Sequence, residues 1–426
     1  MSLNKFYRLW LLSLVAITSS AAAGQAPAPL KKDLVWSQPE SEISSPQFSA
    51  DGSLIVLVTR VHWPDGADAE DLPETFFKKL YARQGKDPRF ADPIVRLIDL
   101  KGTIVCEARY GTNPRVSPDN KSIAFSRQKT PITGLRALAK TMAGNDITFF
   151  ACEEKQTRIV AEPVVGYLDN PFFLSDGKSI VYTQNEAVNG AMGGSVGIER
   201  VDLTTGHRDV LLSKEATPAV PCQAGSTKSD LQAFMCAQST KLSTEFPDLV
   251  FDLAIAGNQA VVLHGMPVPS PGDMYLAKTY KLNLLSVWPD KATLLPMGQF
   301  ATSKLGAVSF QPLPDERVMI FSDYWKSFSV EARDWQQEVG PRNANRSSVY
   351  SPDGKYYLAT EPREDPDHFT LIQALDGNRL YTSPKMEALY NMTWSRDSRR
   401  FAVVSVPKGR AQSAYREDMT VYSLPQ

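Results

Sequence analysis

Ser351-Pro352-Asp353-Gly354-Lys355, followed by Tyr357-Leu358-Ala359, is a hairpin written in a few residues. Proline fixes φ and has no N–H to give to a ladder, so a strand arriving at Ser351 ends there. Asp caps its own backbone and Gly tolerates positive φ, which together make the turn. The β-branched and aromatic residues that follow make the returning strand.

The phrase recurs along the chain. Ser45-Pro46-Gln47-Phe48-Ser49-Ala50-Asp51-Gly52 precedes Leu54-Ile55-Val56, and Asn113-Pro114-Arg115-Val116-Ser117-Pro118-Asp119-Asn120 precedes Ile123-Ala124-Phe125. Asn170-Pro171-Phe172-Phe173-Leu174-Ser175-Asp176-Gly177 leads into Ile180-Val181-Tyr182, and Trp394-Ser395-Arg396-Asp397 into Phe401-Ala402-Val403. A looser copy runs from Val308 through Pro314-Asp315 to Ile320. One such hairpin is an ordinary turn, whereas a series of them is a repeat. Between copies lie two further strand-like runs, such as Ile94 to Leu100 with Thr103 to Arg109, and Phe369 to Leu375 with Arg379 to Thr382. Four antiparallel strands per unit make a propeller blade, which cannot bury both faces alone and must stack around an axis. The expected fold is therefore an all-β propeller of four-stranded antiparallel blades.

Two degenerate middle units, Ala219 to Ala237 and Pro269 to Ala277, bring the expected count to eight blades; seven remain if they merge. The last unit is one strand short after Met419 to Leu424, and Asp33 to Ser37 can supply it from the other end, closing the ring and removing free sheet edges.

The Ser-Pro-Asp-Gly-Lys phrase resembles the repeat of TolB-like propellers, also seen in the propellers of dipeptidyl and oligopeptidases. The resemblance covers nearly all of the chain after its leader and speaks to fold, not function. Two departures matter. The first repeat follows the leader too closely for the α/β domain that precedes the propeller in TolB, and no α/β-hydrolase half follows the last one.

The leader is residues 1–23. Lys5 and Arg8 precede an apolar run from Leu9 to Ile17, and Ala21-Ala22-Ala23 offers a cleavage site. The run is shorter than the roughly 20 residues a membrane span needs. A periplasmic or secreted protein is expected, with residues 24–426 forming one propeller domain and no transmembrane segment after cleavage. Lys plus Arg (46) against Asp plus Glu (47) gives a net charge of −1, which disfavours nucleic acid as a partner. Four Cys in an oxidising compartment imply disulfides. Cys222 and Cys236 flank a turn symmetrically and are expected to bridge, leaving Cys106 with Cys152 by elimination.

Long excursions separate the second and third strands of the first three blades. Residues 62–93 carry Phe76, Phe77, Leu80 and Tyr81 at helical spacing, and residues 129–146 carry Leu135, Leu138 and Met142; the third excursion is the glycine-rich Asn189 to Gly194. Loops of this class leave a propeller on one face, so the three should build one lopsided crest. Either the crest docks a protein partner of the envelope or exterior through Phe76, Phe77, Tyr81 and Leu138, or its helices plug the channel.

Catalytic signals are weak. Gly193-Gly194-Ser195-Val196-Gly197 fits the G-x-S-x-G pattern but leads into a strand, not the helix that a nucleophile elbow requires. The acidic groups Asp65 to Glu74 and Glu361 to Asp367 lack calcium-loop spacing. His62, His207, His264 and His368 are scattered, so neither a metal nor a cofactor is expected. A binding scaffold is the leading reading. The alternatives are a lyase- or lactonase-type enzyme at the axial channel, or a glycan binder using Trp63, Trp288 and Trp325.

Overall fold

The computed structural model describes residues 30–39, 41–61, 93–127, 145–163, 167–185, 195–212, the strands between 249 and 337, 349–361, 367–408 and 416–425. Between 249 and 337 the description is of backbone, together with the Val262 side chain. All regular structure among these residues is strand, and every pairing is antiparallel.

The strands fall into consecutive four-stranded units, each winding outward from its first strand. Ser41–Phe48, Leu54–Val61, Ile94–Asp99 and Ile104–Arg109 make the first, and Gly111–Val116, Ser122–Arg127, Asp146–Ala151 and Gln156–Ala161 the second. Tyr167–Phe173, Ser179–Asn185, Ser195–Asp202 and Arg208–Leu212 make the third. Its third strand meets Leu249–Ala256 through one pair, Ser195 with Val250, so the third and fourth units share a sheet.

Leu249–Ala256, Gln259–Gly265, Thr279–Ser286 and Leu294–Ala301 form the fourth unit, and two further units start at Ser309 and Val349. The last contains Ala388–Trp394, Arg400–Val406, Asp418–Ser423 and, from the other end of the chain, Lys31–Ser37. Seven four-stranded units thus stand among the described residues. Val268–Ser270 and Asp273–Leu276 pair as a two-stranded sheet between the second and third strands of the fourth unit, so no four-stranded unit opens there. Ala219 to Ala237, which the eight-blade count requires, lies outside the described residues, as do most of residues 62–93 and 129–146.

Four of the repeat turns are built by the same hydrogen bonds. Ser117 Oγ donates to Asp119 Oδ1 at 2.5 Å, while Lys121 N donates to that oxygen at 3.1 Å and Ser122 N to Ser117 Oγ at 2.9 Å. Ser49 with Asp51, Ser351 with Asp353 and Ser395 with Asp397 repeat the hydroxyl-to-carboxylate bond at 2.6–2.7 Å. The residue after each Asp takes positive φ: Gly52 at 71°, Asn120 at 63°, Gly354 at 70° and Ser398 at 59°. These four serines are buried, so the carboxylate satisfies a hydroxyl that would otherwise be costly to bury. The turns also touch one another: Asn120 Nδ2 donates to Asp51 Oδ2 at 2.7 Å, and Asp353 N donates to Ser398 Oγ at 2.9 Å.

Packing explains why the second strands are buried nearly throughout instead of alternating. Successive side chains point to opposite faces of a strand, and here both faces are covered. Ile55 and Leu57 pack with Ala402, Val404, Met419 and Val421 of the last unit, while Val56 and Val58 pack with Ile123 and Phe125 of the second. Ala124, between those two, faces Leu168, Ile180 and Tyr182 of the third. Phe401 and Val403 face Leu358, Phe369 and Leu371 of the sixth. Each Val, Leu, Ile, Phe or Met among them contributes about 1.5–3 kcal/mol on burial.

Cys106, on the outer strand of the first unit, is disulfide-bonded to Cys152 of the second, with Cα atoms 5.5 Å apart. It closes a loop of 46 residues. In the chain-entropy account such a closure stabilises by about 4 kcal/mol. Cys222 and Cys236 lie outside the described residues.

The turn carboxylates make stability depend on pH. Burial works to raise Asp51, yet the Ser53 backbone, the Ser49 and Ser53 hydroxyls and Asn120 hold it far below the usual carboxylate range; the Ser117 hydroxyl leads in lowering Asp119. A carboxylate depressed in the folded state adds stability that is complete above the unfolded pKa, about 4, and is lost as pH falls through the folded value. Urea midpoints should therefore decline steadily as pH drops below about 4. Asp51→Asn combined with Asp119→Asn should be less stable at neutral pH and show a flatter decline. An unchanged acid profile in that variant would show that these turns are not the titrating elements.

Candidate functional site

The first strands of neighbouring units approach one another: Ser41–Phe48 lies beside both Gly111–Val116 and Ala388–Trp394, and Gly111–Val116 lies beside Tyr167–Phe173. They are therefore the strands nearest the axis. Register then fixes the two edges of the assembly. The repeat turns occupy one. At the other, Ser41 pairs with Val61, Gly111 with Arg127 and Tyr167 with Asn185, so the chain leaves the second strand of three consecutive units on the same edge. It returns into the third strands at Ile94, Asp146 and Ser195. The three excursions share that edge. Phe76, Phe77, Tyr81 and Leu138 belong to them and lie outside the described residues.

The base from which the excursions leave is polar and deeply packed. Arg96 is 5% exposed and donates to the Thr59 hydroxyl and, at 3.2 Å, to Glu107. Desolvation lowers the pKa of Arg60, whose cross-strand partner Glu42 opposes the shift. Asp146 is fully buried and accepts from Thr148 Oγ1 at 2.8 Å. Glu417, in the last unit, accepts from Ile43 N of the first at 2.5 Å. Buried charge is normally confined to paired groups, so its concentration beside the excursions marks this edge as specialised.

The innermost strands carry a second distinctive feature. Ser45, Asn113 and Asn170 have φ of 52°, 49° and 49°, and each precedes a proline at a bulge. Positive φ is strained for residues other than glycine, and bulges re-aim side chains. Asn113 Nδ2 donates to Asp169 Oδ1 at 2.8 Å, Ser126 Oγ donates to the same oxygen at 2.6 Å, and so the second and third units are tied together near the axis. Arg115 lies over the Phe172 ring at 4.5 Å, and Tyr390, on the first strand of the last unit, is 51% exposed. None of this had a signal in the sequence beyond the recurrent Ser-Pro and Asn-Pro pairs.

The remaining sequence candidates are not brought together among the described residues. His207 pairs with Asp209 at 3.0 Å, while His368 pairs with Asp367 at 2.5 Å on a different unit. Asp367 also binds Lys385 at 2.8 Å and is held below the ordinary carboxylate range first by Lys385 and then by His368. Ser195 opens the strand Ser195–Asp202 and pairs with Asn185, which is not the strand-to-helix turn of a hydrolase nucleophile. Trp325 begins the strand Trp325–Ser329, and Trp63, Trp288 and His62 lie outside the described residues. Among the described residues no helix is long and apolar enough to cross a membrane, and no group of three acidic, His or Cys side chains is placed to hold a metal ion.

No protein-family model matches the chain, and neither does any curated protein. Solved structures do. The beta-propeller domain of Myceliophteria thermophila Cps50 (Swd1) aligns with a TM-score of 0.51 at 10% identity, covering 93% of this chain and 100% of that one.

The fold is a β-propeller.

At that identity the likeness speaks to architecture and not to activity. The propeller domain of the Trilobed protease from Pyrococcus furiosus (TM-score 0.48, 12% identity, 91% of this chain and 96% of that one) is also similar. So is an oligogalacturonate lyase in complex with manganese (TM-score 0.48, 12% identity, 91% and 99%).

The axial tie gives a direct test of strain against bonding. Asn113→Gly keeps the positive φ and loses the bond to Asp169, whereas Asn113→Ala loses both. The glycine variant should cost about 1 kcal/mol in urea unfolding and the alanine variant about 1–3 kcal/mol more. Equal costs would show that the propeller stores no strain at this bulge.

Proposed function

We propose that this propeller is an exported binding scaffold of the TolB-like repeat kind, cleaved after residue 23 and working in the periplasm or outside the cell. Its partner is a protein that docks on the edge bearing the excursions, through Phe76, Phe77, Tyr81 and Leu138. The observation carrying this reading is the shared edge: three consecutive blades interrupt their second-to-third connection at one side of the ring, above a concentration of buried charge. Aromatic side chains bring large contact area at modest entropy cost, so a few of them can dominate an interface. A disulfide between Cys106 and Cys152 is compatible with export, since such bonds persist in oxidising compartments.

A small-molecule site at the axial channel, of the lyase or lactonase type, is the second reading. It is favoured by the bulged innermost strands and the half-exposed Tyr390.

Phe77→Ala separates docking from architecture. Recovery of the envelope partner should fall about tenfold, the worth of one modest hot spot, with the melting temperature unchanged. Undiminished recovery beside a lowered melting temperature would mean that the excursion plugs the channel and that the partner binds elsewhere.

A further inference from the structure

On the edge opposite the excursions, where the two ends of the chain meet, lies a pocket of about 560 Å³. Its wall is shared between the closing strand (Lys31, Asp33), the last unit (Arg400, Ser423, Leu424) and the Asp99–Thr103 turn of the first unit (Leu100). The charges do not balance: two cations face one carboxylate. That carboxylate is also already engaged. Lys31 Nζ lies 3.1 Å from Asp33 Oδ1, and Ser423 Oγ donates to Asp33 Oδ2.

Arg400 Nε is 3.5 Å from Asp33 Oδ2, an ion-pair distance, and has no hydrogen-bond partner although it is buried. Burial works to raise the Asp33 carboxyl, but Ser423, Lys31 and Arg400 together hold it below the usual carboxylate range. Asp33 therefore stays ionised without using up the donors around it. A guanidinium presents five N–H groups in a fork suited to oxyanions, and the ammonium adds three more. Leu100 and Leu424, each half-buried, supply an apolar side to the same pocket.

We infer that this seam pocket binds a small monoanion whose oxyanion head pairs with Arg400 and Lys31 and whose short apolar tail lies against Leu100 and Leu424. The site is independent of the proposed docking edge, since the two lie on opposite faces of the ring. Its ligand would bridge the closing strand to the last and first blades. Occupancy should therefore stabilise the ring against opening.

Calorimetry and thermal melting of the purified protein test this with three probes: hexanoate, inorganic phosphate and hexylammonium. Hexanoate should bind saturably and raise the melting temperature. Phosphate, lacking the tail, should bind more weakly, and hexylammonium should not bind. Arg400→Gln should weaken hexanoate about tenfold, the worth of one charge-assisted hydrogen bond. Asp33→Asn should strengthen it, because the competing negative charge goes while an acceptor for Ser423 remains. A merely destabilised seam cannot move the two variants in opposite directions. The inference is overturned if hexanoate shows no saturable binding, if hexylammonium binds equally well, or if both variants bind hexanoate as the unmodified protein does. Phosphate binding as tightly as hexanoate would remove the apolar tail from the assignment.

Discussion

The pairing of Lys31–Ser37 with Asp418–Ser423 is the constraint on which the rest depends. It joins residues nearly the whole chain apart, with Leu34 opposite Val421 and Trp36 opposite Met419. Without it the last blade would be one strand short, and Asp418–Ser423 would have no partner on its outer side. Leu34 and Trp36 would also be withdrawn from the cluster that joins the last blade to the first. The closing strand is thus both a ladder partner and a packing element. Its ladder hydrogen bonds to the last blade and its buried side chains fail together or hold together.

Closure matters because every blade depends on its neighbours. A second strand such as Leu54–Val61 offers Ile55 and Leu57 to one side and Val56 and Val58 to the other, so removing either neighbour exposes a full apolar face. Gly111 shows how closely the blades approach. A Cβ there would come within 2.4 Å of Val95 and 2.6 Å of Phe125, closer than side chains tolerate. Polar ties supplement this packing at both edges, with the Ser-Asp turns on one and Arg96, Asp169 and Glu417 on the other. The ring is in effect an apolar belt between two polar rims.

What was legible in the sequence was local. The repeat turn is complete within about six residues, so its Ser, Asp and Gly could be read directly and their bonds follow. Strands next to such turns were readable too. Arg379 to Thr382 matches the strand found, and Asp33 to Ser37 falls within Lys31–Ser37. The turn between third and fourth strands was legible as a gap between strand-like runs but not in its bonding, in which Asp99 accepts from Lys101 N and Thr103 N, and Asp202 accepts from Thr204 N and Thr205 N. It lacks proline and so carries weaker punctuation. Contacts between blades left almost no trace. Asn113 and Asp169 stand 56 residues apart, and Cys106 was matched with Cys152 only because the other two cysteines were assigned to each other. Arg96 sits in a run that reads as an apolar strand, because Thr59 and Glu107, the groups that satisfy it, come from the neighbouring strands. The expected docking residues lie outside the described residues, and the strands flanking their segments end and resume on one edge.

Hydrogen exchange along the closing strand tests the account most directly. The ladder-bonded amides among Leu34 to Ser37, and those of Met419 to Tyr422, should exchange together, as slowly as the buried second strands, because opening the seam exposes the packed faces behind it. Exchange of Leu34 to Ser37 as fast as that of an unpaired chain, with the blades still protected, would contradict the claim that this strand holds the ring shut.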